Sequence, residues 1–542
     1  MRDERILANL IEAKAETKPD FNVLTFVNIL PSGEFDDETR SYQQLWDEGQ
    51  RVANALVNEG MDPGDSFAIM MQNHPEFIDA MVGSSIAATV FVPIDPRTRG
   101  DKLNYMLRWA DCKGVFCADY CLPQVLEVCQ QLEDIRWIWV LDTGEGVRLP
   151  DSRVALTNFA HIQASSCSPM SCRVESPEEI MQMLYTSGTT GDPKAIRAPY
   201  LRFDAVSSLG PMIGLREDDK PYSGLSLTHA NAQLITLGNS LKMELPSVFS
   251  RKFTKSRLWD ICRHYGCTMF NLLGGMTTAI YSEPRKENDA DNPVRYILSA
   301  GMPAAIWEDF SQRFGVELFE FYAAAEGGMM MNPPGTGPVG SIGKPPANLH
   351  AWIIDEEGNE CGPGERGEIV FQSVDPDMPL KIEYYKNPDA SAKKVRDGVL
   401  HMGDIGHRDE NGWFYFDSRK GDEIRRNGDF IDIARIEKVI AEFDDVADVF
   451  VYGIPAASGV PGEKDVVAAV VPVEARVFNP DNLLGHCRRA LGRTELPSYV
   501  QVMSEIPKTA SEKPQMRFCY EHFQAQPNHI YRFDIPQISV AN

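Results

Sequence analysis

Residues 185–194 read Tyr-Thr-Ser-Gly-Thr-Thr-Gly-Asp-Pro-Lys, the stretch of this chain whose residue types are best arranged for chemistry. The hydroxyls of Thr186, Ser187, Thr189 and Thr190 interleave with Gly188 and Gly191, and Lys194 closes the run. Such a loop can turn backbone N–H groups and hydroxyls towards one anion. Glycine admits close backbone approach, and lysine adds a full positive charge. Ordinary surface turns share this composition, but the ordered hydroxyls and terminal lysine favour a phosphate cradle. No Gly-Lys-Ser/Thr ending follows, so the loop is not of Walker type.

Three later segments carry compatible chemistry. In Glu320-Phe321-Tyr322-Ala323-Ala324-Ala325-Glu326-Gly327-Gly328 an aromatic ring precedes a carboxylate by four residues, a pair able to stack a purine and hold magnesium. In His401-Met402-Gly403-Asp404, followed by Arg419, a carboxylate after glycine can accept two hydroxyl hydrogen bonds, as a ribose diol requires. In Pro507-Lys508-Thr509-Ala510-Ser511-Glu512-Lys513-Pro514 a loop lysine could stabilise an oxyanion.

The elements that must position these groups are α/β in pattern. Between about residues 40 and 300, helical patterns alternate with short apolar strands such as Ser66–Met71, Val90–Ile94, Gly114–Cys117 and Trp137–Leu141. Ile180–Leu184 reads as the strand feeding the phosphate loop. After residue 345, Trp352–Asp355 and Gly367–Phe371 predict a small β-rich subdomain. Beyond a charged, glycine-containing stretch at 417–430 comes a compact α+β pattern: helix Arg435–Phe443, strands Val446–Tyr452 and Val466–Val473, helix Pro480–Leu491. The expected division is a large domain over 1–418, a hinge at 419–422 and a small mobile domain over 423–542. The tail from Gln526 reads as irregular.

Composition narrows the partners. The chain has 542 residues and a net charge of −25, which disfavours a general nucleic-acid or anionic-membrane surface. An anionic ligand therefore needs local basic groups. The N-terminus begins charged and continues as an amphipathic helix through Leu7, Leu10 and Ile11, without a signal-peptide core. The longest apolar stretch, around Ile86–Ile94, is too short to span a bilayer. The eleven cysteines lack paired CxxC spacing and read as reduced packing thiols of a cytoplasmic protein; Cys117/Cys121 and Cys262/Cys267 are weak near-pairs.

Taken in order, these motifs resemble the adenylate-forming superfamily of acyl-CoA synthetases, amino-acid adenylation domains and firefly luciferase, over essentially residues 10–520. The resemblance implies that Thr186, Ser187, Gly188, Thr189, Thr190, Gly191 and Lys194 hold the phosphates of ATP. It implies that Tyr322 stacks on adenine in a pocket lined by Ser299, Ala300 and Gly301, that Glu326 binds Mg2+, and that Asp404 and Arg419 hold the ribose. Lys513 would contact the carboxylate and α-phosphate, and Gly428 would line the tunnel for CoA. The implied activity is AMP-forming acyl-CoA synthesis, with Thr186, Glu326, His229 and Lys513 in catalytic roles.

The chain also departs from the superfamily pattern. Ala325 replaces the usual threonine before the glutamate, Ala195 the usual glycine after the loop lysine, and Gly421 the usual hinge aspartate or lysine. Asn427 and Asp429 flank Gly428 where glycine and glutamate are usual.

Leu227-Thr228-His229-Ala230-Asn231-Ala232-Gln233 resembles the carnitine/crotonobetaine–CoA ligase branch, as do Tyr265–Thr268 and Leu272–Met276. On that resemblance His229 gates the acyl pocket, with Gly275, Met276, Gly301 and Met302 near its wall. Phe203-Asp204 is superficially like the amine-binding segment of amino-acid adenylation, but it falls too early. A different acyl acceptor, or a nucleotide-binding protein with weakened turnover, are the alternatives. The branch suggests a small or medium polar acid; the acid itself and the oligomeric state, a homodimer included, are left open.

Overall fold

The computed structural model describes residues 2–144, 149–186, 193–420, 424–426, 429–431, 433–457, 463–474, 476–509, 512 and 514–533. The chain forms two compact units. One comprises Met1–Thr254, Asp260–Asn271 and Ile382–Lys393; the other comprises Lys255–Trp259, Leu272–Lys381 and Lys394–Asn542.

The first unit holds a seven-stranded sheet in the order Ala155–Asn158, Trp137–Leu141, Cys112–Ala118, Ser66–Met70, Val90–Pro93, Ile180–Thr186, Lys194–Pro199. Every pairing is parallel except the last. Ser66–Met70, Val90–Pro93 and Trp137–Leu141 are buried along their whole length, which explains their unbroken apolar sequences: parallel strands are covered on both faces. Pro75–Ala87 and Gly100–Trp109 are the helices that follow two of them. The edge strand Lys194–Pro199 is itself covered, since Tyr385 N–H donates to Ala195 O at 2.8 Å and Arg197 N–H to Glu383 O at 3.0 Å. A second set of strands pairs Pro221–Ser223 with Ser247–Ser250, then Asn22–Ile29, then Phe35–Ser41.

In the second unit Tyr296–Ala300 pairs in parallel with Glu317–Ala324, which turns back antiparallel into Gly327–Asn332. The β-rich region predicted after residue 345 is an antiparallel sheet of Leu349–Ile354, Gly367–Ser373, Val399–Arg408, Val395–Arg396 and Phe414–Arg419. The last sheet runs Val446–Pro455, Lys464–Pro472, Tyr499–Val502, Ile530–Arg532. Strand alternation gives it two apolar faces. Val449 and Val451 pack with Ile436, Ile440 and Leu483 from the helices Ile433–Ala441 and Pro480–Ala490, whereas Phe450, Tyr452 and Ile454 pack with Cys519 and Phe523 of Met516–Ala525.

One sequence expectation is corrected. The segment after Gln526 is not irregular throughout, because Ile530–Arg532 pairs antiparallel with Tyr499–Gln501. A three-residue strand with one apolar residue, Ile530, facing in is too short to show a period of two. No described helix is long and apolar enough to cross a membrane.

Candidate active site

The segment expected to cradle phosphate joins two antiparallel strands. Thr186 ends one strand and Lys194 begins its antiparallel neighbour, so the two stand directly opposite each other, with Thr186 Oγ1 3.5 Å from Lys194 O. Tyr185 anchors the incoming strand by donating its hydroxyl to Met106 O at 2.6 Å. The Lys194 ammonium is exposed, with Nζ 5.2 Å from the centre of the Tyr384 ring. The remaining loop residues, Ser187, Gly188, Thr189, Thr190 and Gly191, lie outside the described residues, as do Gly428 and Lys513.

His229 belongs to the same unit. It is half-buried and precedes a helical run, Asn231–Gly238, of the wide i→i+5 type that favours functional sites. Buried amides brace this run. Asn271 donates to Asn231 Oδ1 at 2.6 Å and to Thr236 Oγ1 at 3.0 Å, and Gln182 of the phosphate-loop strand donates to Gln233 Oε1 at 2.5 Å. His229 Nδ1 accepts from Asn231 N–H at 3.2 Å, and burial pushes its pKa down to about 4. The imidazole is therefore neutral at pH 7 and carries its proton on Nε2.

The second unit carries the groups assigned to nucleoside. Tyr322 donates its hydroxyl to Asp404 Oδ2 at 2.6 Å, and its ring stacks on Phe371 with centroids 6.3 Å apart. Burial and the neighbouring Asp404 charge hold the phenol far above its ordinary pKa. Asp404 is 2% exposed and faces Arg419 across the strand pair, with Arg419 Nε 3.1 Å from Asp404 Oδ1. That oxygen accepts no directed hydrogen bond among the described residues. A buried carboxylate oxygen so placed suits the hydroxyl of an incoming ribose.

Ser299, Ala300 and Gly301 end a strand beside this pair. Gly301 has φ +94°, a backbone conformation suited to glycine, and its N–H donates to Glu320 at 2.6 Å. Met302 N–H donates to the same carboxyl at 3.2 Å. Glu320 lies two residues before Tyr322, with its carboxyl turned to backbone, and burial pushes its pKa up to about 8. Gly274 brings the start of its helix close to Gly301: a Cβ on Gly274 would stand 2.9 Å from Gly301 O. Met276 and Met302 are buried.

Glu326 sits half-buried in the turn before Gly327 and Gly328, whose φ values are +123° and +71°. Among the described residues no three metal-ligating side chains cluster. Glu326 with nucleotide phosphates fits magnesium, which keeps most of its water and needs only one or two protein carboxylates.

Sequence reasoning gave no role to three neighbours. Glu320 was visible inside the tyrosine motif, but only the fold reveals its backbone partners. Lys394 donates to Met402 O at 2.9 Å; burial lowers its pKa, and the Glu326 and Asp404 charges oppose that. Glu368 accepts from Gly403 N–H at 3.0 Å and so supports the turn before Asp404. Neither Lys394 nor Glu368 has a motif signal.

The Phe203-Asp204 alternative loses its carboxylate, which is paired with Lys242. The cysteine near-pairs Cys117/Cys121 and Cys262/Cys267 are buried, and burial pushes the Cys121 thiol up to about 12.

The AMP-binding enzyme family model matches residues 11–375, and the AMP-binding enzyme C-terminal domain matches 435–513. A medium/long-chain-fatty-acid–CoA ligase of Mycobacterium marinum is 30% identical over 489 residues, covering 88% of this chain and 91% of that protein. A crotonobetaine/carnitine–CoA ligase of Salmonella typhimurium is 27% identical over 482 residues, covering 87% and 91%. The crystal structure of the anthranilate CoA ligase AuaEII with anthranoyl-AMP superposes with a TM-score of 0.80 at 19% identity, covering 96% of this chain and 98% of that one. The fold, the ordered motifs and these matches place the chain in the AMP-binding, adenylate-forming enzyme family.

Proposed function

We propose that this enzyme is an AMP-forming acyl-CoA synthetase that joins a carboxylic acid to CoA at the expense of ATP. The observation that carries the reading is the Tyr322–Asp404–Arg419 group, in which one buried carboxylate oxygen, ion-paired with Arg419, accepts no directed hydrogen bond among the described residues. In the first half-reaction the acid's carboxylate oxygen attacks the α-phosphorus of ATP and pyrophosphate leaves. Both reactants are anions, so charge must be neutralised before they meet. Lys194 and the loop N–H groups would take the phosphates, and Lys513 would bridge the acid and the α-phosphate. Magnesium, held by Glu326 and the phosphates, supplies further positive charge when bound.

In the second half-reaction the CoA thiol attacks the acyl carbon and AMP leaves. The mixed anhydride must be kept from water meanwhile. Movement of residues 423–542 about a hinge at 419–422, on a large domain of 1–418, would remove Lys513 and admit pantetheine past Gly428.

An apolar acyl tail is the reading we favour. Gly275, Met276, Gly301 and Met302 bring no charge to the proposed wall, and the adjacent Glu320 is engaged by two backbone N–H groups. The relatives named for medium and long-chain fatty acids support the same class. The test is ATP–pyrophosphate exchange with octanoate, decanoate, palmitate, benzoate and crotonobetaine, followed by CoA addition and thioester detection. Exchange with fatty acids and acyl-CoA formation are expected. No exchange with any acid contradicts the reading, and exchange without thioester points to another acceptor.

A further inference from the structure

Gly275 is a glycine without a conformational reason. It lies in the first turn of the helix Gly274–Tyr281, and its φ is not positive. Alanine forms helix better there. What excludes a side chain is contact: a Cβ on Gly275 would stand 2.6 Å from Glu512 O and 3.6 Å from Pro514 Cδ. The atom it meets is backbone, which cannot swing aside like a side-chain tip.

Glu512 and Pro514, which precede and follow Lys513 in sequence, are held in a hairpin by backbone bonds. Lys508 and Pro514 form an antiparallel bridge, Gln515 N–H donates to Pro507 O at 2.8 Å, and Glu512 N–H to Thr509 O at 2.9 Å. Glu512 itself has φ +57°, unfavourable for a residue with a side chain. The hairpin is pinned at its base by Lys508 Nζ on Asp448 Oδ2 at 2.5 Å.

We infer that Gly275 is the seat of this hairpin: its bare Cα receives the Glu512 carbonyl, and so holds the backbone next to the proposed adenylation lysine. The inference rests on the adenylating function proposed above. It makes Gly275 a positioning residue for the first half-reaction, beyond any part it has in the acyl wall. The second half-reaction, which dispenses with Lys513, does not need the seat.

The test separates the two halves, using whichever of octanoate, decanoate or palmitate the wild-type enzyme activates fastest. Gly275→Ala is expected to lower the maximal rate of acid-dependent ATP–pyrophosphate exchange by about tenfold or more, since small misplacements of a reacting group are costly. Thioester formation from the matching synthetic acyl-adenylate and CoA should fall far less than exchange does. Gly485→Ala is the control, because a Cβ at that helical glycine meets nothing within 4 Å.

Exchange by Gly275→Ala within about twofold of wild type overturns the inference, as does an equal fall in both half-reactions. If Gly275→Ala melts well below wild type, Lys508→Met, which unpins the same hairpin, decides by the same split. Absence of exchange in the wild-type enzyme would count against the adenylating function itself, an outcome distinct from failure of the seat.

Discussion

Tyr322 and Asp404 are 82 residues apart in sequence, yet share a 2.6 Å hydrogen bond. The bond joins the strand that carries the ring proposed to stack on adenine to the strand that carries the carboxylate proposed to hold the ribose. The two halves of the proposed nucleoside site are thereby held in register. A hydrogen bond to a charged acceptor contributes about 1.5–3 kcal/mol. Tyr322→Phe keeps the ring and removes that bond. ATP binding by calorimetry should weaken by about tenfold, with a smaller change in the rate of the chemical step.

Glu320 gives a pH signature. Its folded pKa of about 8 lies above the unfolded carboxylate range, so the native state holds a proton that the unfolded chain has released. The stability from this group is full below about pH 4.5 and is lost as pH rises through about 8. Thermal melts from pH 5 to 8 should therefore show a steeper decline for wild type than for Glu320→Gln. Parallel curves would contradict the assigned proton.

His229 carries the opposite sign. Burial holds its folded pKa near 4, below the unfolded value, so its contribution is present above about pH 6.5 and is lost as pH falls towards 4. An NMR titration should find the ring neutral throughout the neutral range. The pH profile of pyrophosphate exchange should then show no step near 6.5 that His229→Gln abolishes.

Ala325 stands where the superfamily places a hydroxyl near the α-phosphate. Ala325→Thr restores one donor, and a neutral hydrogen bond is worth about 1 kcal/mol. Exchange should accelerate several-fold, with ATP affinity little altered. A slower variant would show that this turn has been repacked around alanine.

Asp204 separates the amino-acid reading from the acyl one. Its partner is Lys242, so Asp204→Ala should leave exchange with the preferred acid unchanged. The lost partly exposed ion pair is worth up to about 1 kcal/mol of stability, which a melting curve would register. Loss of activation by that variant would argue for an amine-bearing substrate.

Local order was the legible part of this protein. The buried strands Ser66–Met70 and Trp137–Leu141 declared themselves as apolar runs, and Ile180–Thr186 as the strand that leads into the glycine- and hydroxyl-rich loop. Tyr322, Asp404 and Arg419 could be named from their motifs, but their mutual contacts could not, because the strand register that joins them involves no local signal. Glu320 and Glu368 act on backbone N–H groups supplied by distant turns, at Gly301–Met302 and at Gly403. Such partnerships depend on which chain segments the fold makes adjacent. The strand Ile530–Arg532 escaped for a similar reason: its place is set by the sheet edge it joins, and its own three residues carry too little pattern.

The most direct test of the central claim is acid-dependent ATP–pyrophosphate exchange by wild-type enzyme and by Lys513→Ala, with nucleotide binding measured on both. The account predicts exchange by wild type, loss of exchange by the variant, and retained ATP binding. Near-normal exchange by Lys513→Ala would contradict it.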